Sequence, residues 1–380
     1  MALFTIGYDA STTLARRTGI GRAVLELLRA MVELEDERFE FRVLMNSFLH
    51  RPGIDHQFLL NKPQVEVMRS RRPGSWLVKK WAAGKGPAVE ALVGNVGIFH
   101  APASYIPPTK SARRIATVYD LAFLNDSAAS LQPLGSALFK KHFPQVLPEC
   151  DYVITTSNAT RERLLQAYDL RPERVVSIPL GVNHKLFKPS DERMVEIASH
   201  QIGLDKADFL FSVTSHSERK RNGLLLDVYE RLRESNPETP LLVVLGWDGS
   251  APRELRERPK LHRHVHVLNR VEDNLLPGLY SAALATILTS REEGFGFPLL
   301  EAQACGSPVI CPARSTYPEM GGNAAQYIES NDLEEWAEAI RTVMLNKETR
   351  LKISGLGIEN ANRFQWSECA RKTLDLYASL

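Results

Sequence analysis

Twelve short apolar runs, each closed by a polar or glycine-containing turn and most followed by a helical pattern, punctuate this chain. In the first half they cover residues 3–7, 41–45, 96–100, 114–118, 152–155 and 175–178. In the second half they cover 209–213, 241–245, 265–268, 285–288, 308–311 and 325–327. Continuous apolar runs of this length belong to strands buried on both faces, and strands alternating with helices build parallel sheets. Two such sets in 380 residues predict an α/β chain of two doubly wound, Rossmann-like domains. Hydrophobic residues make up 44% of the chain, enough for two cores. Ligands in such folds sit at the carboxyl ends of strands, so the cleft between the domains is the expected site.

Pro179, Gly181 and Pro189 punctuate the end of the last N-terminal strand and place the domain boundary between residues 187 and 188. A net charge of +2 excludes the strong global field of a nucleic-acid-binding chain, and no nucleic-acid partner is expected. Cys150, Cys305, Cys311 and Cys369 have neither disulfide-framework nor zinc-ligand spacing, and read as buried apolar groups in a reducing compartment. The first apolar run has no basic lead and reads as a strand, not a signal peptide. No run approaches the ~18 residues that span a bilayer. A cytoplasmic protein is expected, or one peripheral on the inner face of the plasma membrane.

One segment stands apart in charge. From Lys62 to Lys85 it carries Lys62, Arg69, Arg71, Arg72, Lys79, Lys80 and Lys85 against Glu66 alone, with Trp76 and Trp81 interleaved. Such a segment suits an anionic membrane surface. It equally suits a solvated loop or helix with its tryptophans tucked into the domain.

The residue types that carry chemistry fall at run ends. Glu293 and Glu301 flank a loop through Gly294, Phe295, Gly296, Phe297 and Pro298 that opens an apolar helix at Leu299. Pro298 suits a first helical turn. The free N–H groups of that turn and of the loop can bind phosphate or sugar oxygens. Glu301, expected in the first turn, can accept two hydrogen bonds from a ribose diol, and Glu293 can face a second set of hydroxyls. The plain alternative leaves Glu301 complementing the helix dipole and Glu293 on the surface. Arg219, Lys220 and Arg221 follow the 209–213 run, where cations can neutralise a diphosphate or simply form a solvated basic turn. Gly19 and Gly21, after Arg16, Arg17 and Thr18, let backbone approach a ligand at a helix start. Asp120, beside Tyr119, lies just past another run, as a turn former or facing the cleft. No Asp-x-Asp or paired-histidine metal motif occurs, so no metal is expected. His262, His264 and His266 read as structural.

In this order the motifs resemble the retaining glycosyltransferases of family 4, which have the GT-B fold. The E-x7-E signature matches Glu293 and Glu301 within EGFGFPLLEAQACGSPVI. TGIGR from Thr18, VYDLAF from Val118, TTSNATRERL from Thr155 and IPLGV from Ile178 match further landmarks. The resemblance implies two Rossmann-like domains facing across a cleft: 1–187 for the acceptor and 188–362 for the nucleotide-sugar donor. Residues 363–380, with FQWSECARKTLDLY from Phe364, resemble the final helix that crosses back to the first domain.

It further implies Asp120, Lys220, Arg221 and Glu293 as catalytic residues. Glu301 would hold the ribose, and the backbone of Phe295, Gly296, Phe297, Pro298 and Leu299 the sugar and diphosphate. Gly19, Gly21, Tyr119 and Arg219 would add donor contacts, and Arg270 and Val271 would lie at the base. Counting back from Asn222 selects Lys220 and Arg221 for the diphosphate; reading the letters selects Arg219 and Lys220. Tyr119 stands where many members have histidine, so that contact lacks a cation. The expected donor is GDP-mannose or a GDP-deoxyhexose such as GDP-rhamnose, a substrate and not a cofactor, with no cofactor required. The expected acceptor is a lipid-linked saccharide of surface polysaccharide (O-antigen or lipopolysaccharide) assembly. The expected mechanism is front-face attack, with Asp120 and Glu293 as the only carboxylates suited to a double displacement. The competing readings are a UDP-sugar transferase and a non-catalytic nucleotide-sugar-binding homologue.

Overall fold

The computed structural model describes residues 3–14, 18–59, 62–103, 105–125, 136–204, 208–247 and 252–380, so Arg16 and Arg17 lie outside the described residues. The chain divides into two compact units, Met1–Gly181 with Trp366–Leu380, and Val182–Gln365.

The first unit holds β1 (Phe4–Asp9), β2 (Phe39–Asn46), β3 (Val65–Ser70), β4 (Ile98–Ala101), β5 (Arg113–Val118), β6 (Tyr152–Thr155) and β7 (Val175–Ser177). They pair in parallel in the order β3-β2-β1-β4-β5-β6-β7. The second unit holds β8 (Phe209–Val213), β9 (Leu241–Leu245), β10 (Val265–Leu268), β11 (Ala285–Ile287), β12 (Val309–Pro312) and β13 (Ala325–Ile328), parallel in the order β10-β9-β8-β11-β12-β13. Each sheet starts at its middle, winds to one edge and reverses, which is the Rossmann order. The central strands are fully buried, as their unbroken apolar runs require: Ile6 and Tyr8 in β1, Val243 in β9 and Ile310 in β12.

The charged segment contains an element that neither expected reading included, a seventh strand. In β3, on the sheet edge, Val65, Val67, Met68 and Ser70 are half-buried and Glu66 and Arg69 are exposed, so a search for strands buried on both faces passes over it. Beyond it, helix Gly74–Ala82 buries Leu77, Val78 and Trp81, and the Trp81 indole donates to the Pro87 carbonyl at 2.9 Å. Trp76 instead faces solvent, with the Lys80 ammonium 5.8 Å from its ring centre. One tryptophan is thus structural and one is exposed.

The units change at residues 181–182 and 365–366, against the expected 187–188 and 362–363. Val182 forms a parallel bridge with Gln365, and its N–H donates to the Phe364 carbonyl at 2.9 Å. Phe187 packs against Tyr280. Residues 182–187 and 363–365 therefore side with the second unit. Gly181 closes the first unit against the returning chain, where a Cβ would lie 2.3 Å from the Trp366 nitrogen. Helix Trp366–Ala378 then packs on helix Gly19–Glu33. Its Tyr377 hydroxyl lies 2.5 Å from one ring nitrogen of buried His100, whose other nitrogen is 2.8 Å from the Thr117 hydroxyl. Burial pushes the His100 pKa down to about 3.

Candidate active site

The strand order of the second unit reverses between β8 and β11, and open parallel sheets bind ligands at the carboxyl ends flanking such a point. The basic turn leaves β8 there. Asn222 holds it from within, accepting from the Thr214 hydroxyl at 2.7 Å and donating to the Ser215 carbonyl at 2.8 Å. The loop after β11 braces it from outside: the Thr289 hydroxyl donates to the Lys220 carbonyl at 2.8 Å, and the Arg291 N–H donates to the Arg219 carbonyl at 2.7 Å.

Two of the three cations converge on Glu293. Arg219 Nη1 lies 2.9 Å from Glu293 Oε2, and Lys220 Nζ lies 2.6 Å from Oε1. Arg219 Nη1 also donates to the Glu292 carbonyl at 2.9 Å. The Glu293 side chain is only 10% exposed. Burial alone pushes its pKa up, but the Lys220 and Arg219 charges outweigh that and hold it at about 2. Glu293 is therefore ionised at neutral pH and is no surface acid.

Sequence reasoning did not single out Ser315. Its Oγ accepts from the Glu293 N–H and donates to the Glu293 carbonyl, both at 3.0 Å, from a left-handed backbone at φ 59°. A serine just past a buried strand is the only sequence signal, and it is a weak one. Asp9 was missed in the same way. It ends β1 beside the switch point of the first unit, accepts from the Ser11 N–H at 2.9 Å, and burial pushes its pKa up.

The glycine loop ends at Gly296, whose φ of 87° is left-handed and therefore suits glycine, and helix Phe297–Ala304 begins there. Pro298 sits in the first turn as expected. The Leu299 N–H is donated to the Gly296 carbonyl at 3.0 Å, so Leu299 offers no free amide, in contrast to the expectation. The Phe295 ring packs against Phe297 and Phe364. Glu301 lies in the second turn and not the first, because the left-handed Gly296 caps the helix early and starts it at Phe297. It is 5% exposed, with the Tyr280 hydroxyl 3.5 Å from Oε2. A buried acid one turn into a helix is not a surface complement to the dipole.

Arg221 does not join the Glu293 cluster. Its left-handed backbone, φ 53° and ψ 50°, turns the side chain away, and Nη1 donates to Asn331 Oδ1 at 2.9 Å. Of the three cations, Arg219 and Lys220 reach Glu293, and Arg221 reaches Asn331. Arg270 and Val271 follow β10, an edge strand three neighbours from β11, about 14 Å at ~4.8 Å per strand.

In the first unit, Thr18 caps helix Gly19–Glu33 and accepts from the Gly21 N–H at 3.0 Å, so that amide is occupied within the fold. Gly19 opens the helix with empty space where a Cβ would sit. Asp120 accepts from the Ala122 N–H at 3.1 Å, the turn-forming role of an aspartate at a strand end. Burial pushes the Tyr119 phenol pKa up. Among the described residues no group of three or more His, Cys, Asp or Glu side chains is placed to hold a metal ion, and no helix is long and apolar enough to cross a membrane.

Two family descriptions match almost end to end: "Glycosyltransferase Family 4" over residues 17–186 and "Glycosyl transferases group 1" over residues 195–359. The chain belongs to the family 4 glycosyltransferases. Its paired Rossmann-like units are those of the GT-B fold. The solved sucrose-phosphate synthase from Thermosynechococcus elongatus has a similar fold at a TM-score of 0.74, with 19% identity over 99% of this chain and 98% of that one. The O-antigen chain mannosyltransferase B of Escherichia coli is 25% identical over 74% of each chain. The D-inositol 3-phosphate glycosyltransferase of Corynebacterium aurimucosum is 27% identical over 60% of this chain and 56% of its own length.

Proposed function

We propose that this glycosyltransferase moves a hexose, best assigned as mannose from GDP-mannose or a deoxyhexose from a GDP-deoxyhexose, to a lipid-linked saccharide with retention of anomeric configuration. The observation that carries the reading is the Arg219–Glu293–Lys220 cluster at the β8–β11 switch point, beside the loop that opens helix Phe297–Ala304. The similarity to the O-antigen chain mannosyltransferase supports mannose and a surface-polysaccharide acceptor.

An acceptor hydroxyl attacks the anomeric carbon on the face from which the diphosphate departs. The bond from that carbon to the diphosphate oxygen breaks, the new glycosidic bond forms, and the acceptor proton passes to the leaving diphosphate. Lys220 and Arg219 offset the charge that develops on the leaving group, the kind of contact worth most in the transition state. Glu293, an anion at neutral pH, accepts from donor-sugar hydroxyls and cannot serve as the proton donor. Glu301 accepts from the ribose diol, and the spacing from β11 to the β10 end matches the reach of an extended nucleotide sugar, which supports Arg270 and Val271 at the base. The first unit takes the acceptor, with Asp120 at the acceptor or donor sugar. Exposed Trp76 with Lys79 and Lys80 supports docking of this unit on an anionic bilayer that carries the acceptor.

Calorimetric titration with GDP and UDP tests the base assignment. Tighter GDP binding is expected, and tighter UDP binding would move the donor to a UDP-sugar.

A further inference from the structure

The glycine loop does not hold its own shape. Among the described residues the N–H groups of Phe295, Gly296 and Phe297 make no hydrogen bond, although Phe295 and Gly296 are buried. Buried N–H groups are paired in nearly every native structure, so a loop that leaves these without protein partners needs side chains to fix it. Glu293 fixes one end through Arg219, Lys220 and Ser315. The start of helix Phe297–Ala304 fixes the other. Between them stands the Phe295 ring, edge-on to Phe297 at 5.0 Å between ring centres and to Phe364 at 5.9 Å. Phe297 belongs to the same segment, whereas Phe364 comes from far along the chain.

Phe364 is itself anchored. It is buried, its N–H donates to the Ala361 carbonyl at 3.0 Å, and its carbonyl accepts from the Val182 N–H at 2.9 Å. The helix before it, Lys347–Ala361, is tied to helix Phe297–Ala304 by two buried amides, Asn360 and Gln303. Asn360 Nδ2 donates to Gln303 Oε1 at 2.8 Å and to the Met320 carbonyl at 2.7 Å. Gln303 Nε2 donates to the Ala324 carbonyl at 2.9 Å and to the Gly321 carbonyl at 3.3 Å. Arg363 Nη1 donates to Asn360 Oδ1 at 3.1 Å, which occupies the last polar atom of the pair. A buried network with every group satisfied specifies one arrangement. Gly357 leaves room for it, since a Cβ there would lie 3.2 Å from Gln303 Cγ. The far turn of helix Phe297–Ala304 and the ring against Phe295 thus share one framework.

We propose that Phe364 is a positioning residue for the donor: its ring sets Phe295, and Phe295 sets the N–H groups of residues 295–297 that receive diphosphate and sugar oxygens. Asn360 and Gln303 keep that ring in register with the donor helix. The inference rests on the donor reading of this loop. Leucine at 364 would fill part of the space but present no ring edge, so Phe295 would settle into the gap and carry the amides out of line. A nucleoside diphosphate depends on those amides most. A nucleoside monophosphate, held chiefly at ribose and base, depends on them least.

The test is calorimetric titration of the full-length protein with GDP, GMP, UDP and UMP. The wild type should bind one diphosphate more tightly than its monophosphate. Phe364→Leu should weaken that diphosphate about tenfold, as expected for a misaligned hydrogen bond to a charged group, and leave the monophosphate within about twofold. Phe295→Leu should lose as much, and Phe295→Leu/Phe364→Leu no more than either, because the two rings form one contact. If circular dichroism finds Phe364→Leu unfolded, Phe364→Met replaces it with the same expectation. The proposal is overturned by a folded variant that keeps the wild-type preference for the diphosphate, whether both ligands are unaffected or weakened equally. It is also overturned by losses that add in the double variant. A wild type that binds the diphosphate no more tightly than the monophosphate instead overturns the donor reading of the loop, and the proposal with it.

Discussion

Replacing Glu293 with glutamine keeps its shape and removes its charge, which makes Glu293→Gln a direct probe of the cluster. Holding a glutamate at about 2 against its ordinary 4.5 corresponds to about 3 kcal/mol in favour of the ionised, folded form, at ~1.4 kcal/mol per tenfold. With the side chain 10% exposed, little of this is lost to solvent screening. The sign follows from a folded pKa below the unfolded one: the stabilisation is complete above pH 4.5 and is lost as pH falls toward 2. The wild type should therefore exceed Glu293→Gln by about 3 kcal/mol at pH 7. That gap should narrow below pH 4.5 and nearly close at pH 2, where the protonated acid and the amide face the same two cations. Urea unfolding followed by tryptophan fluorescence reads this in the second unit, where Trp247 and Trp336 are buried. A gap that stays constant from pH 7 to pH 3 would refute the electrostatic reasoning and assign the cost to packing.

Lys220→Met should lower turnover by roughly 10²–10³-fold with nucleotide affinity nearly kept, because its contact matters most as the diphosphate leaves; stopped nucleotide-release assays decide, and a fewfold loss would pass the role to Arg219. Glu301→Gln should weaken nucleotide binding in calorimetry by about tenfold or more, since it removes a buried charged acceptor, and unchanged affinity would remove Glu301 from the ribose. In the first unit, buried His100 has a pKa of about 3 against 6.5 when unfolded, so stability should fall by about 1.4 kcal/mol per pH unit as pH drops below 6.5. His100→Gln should flatten that slope in pH-dependent urea unfolding, and an unchanged slope would contradict the assignment. Lys79→Glu/Lys80→Glu should release the protein from phosphatidylglycerol vesicles in flotation assays, and undiminished binding would rule this face out as the membrane contact.

The two-sheet architecture was legible because the strands that build it are continuous apolar runs, buried on both faces. β3 escaped because an edge strand keeps charges on its open side. The acids and cations were visible as residue types at strand ends, but their pairing was not. Which of Arg219, Lys220 and Arg221 reaches Glu293 depends on one left-handed residue, and nothing in the letters marks Arg221 as that residue. The same limit applies to Glu301: the E-x7-E spacing located it, while the left-handed Gly296 set its turn. Ser315 and the His100–Tyr377 contact join residues far apart in sequence, 22 positions in one case and 277 in the other, so no local pattern announces them.

The most direct test is a transfer assay with GDP-mannose, GDP-deoxyhexoses and UDP-sugars against a lipid-linked saccharide, followed by NMR of the new linkage. The account predicts nucleotide release and product from a GDP-sugar, with the donor's anomeric configuration kept in the product. Product from UDP-sugars alone, or a product of inverted configuration, would contradict it.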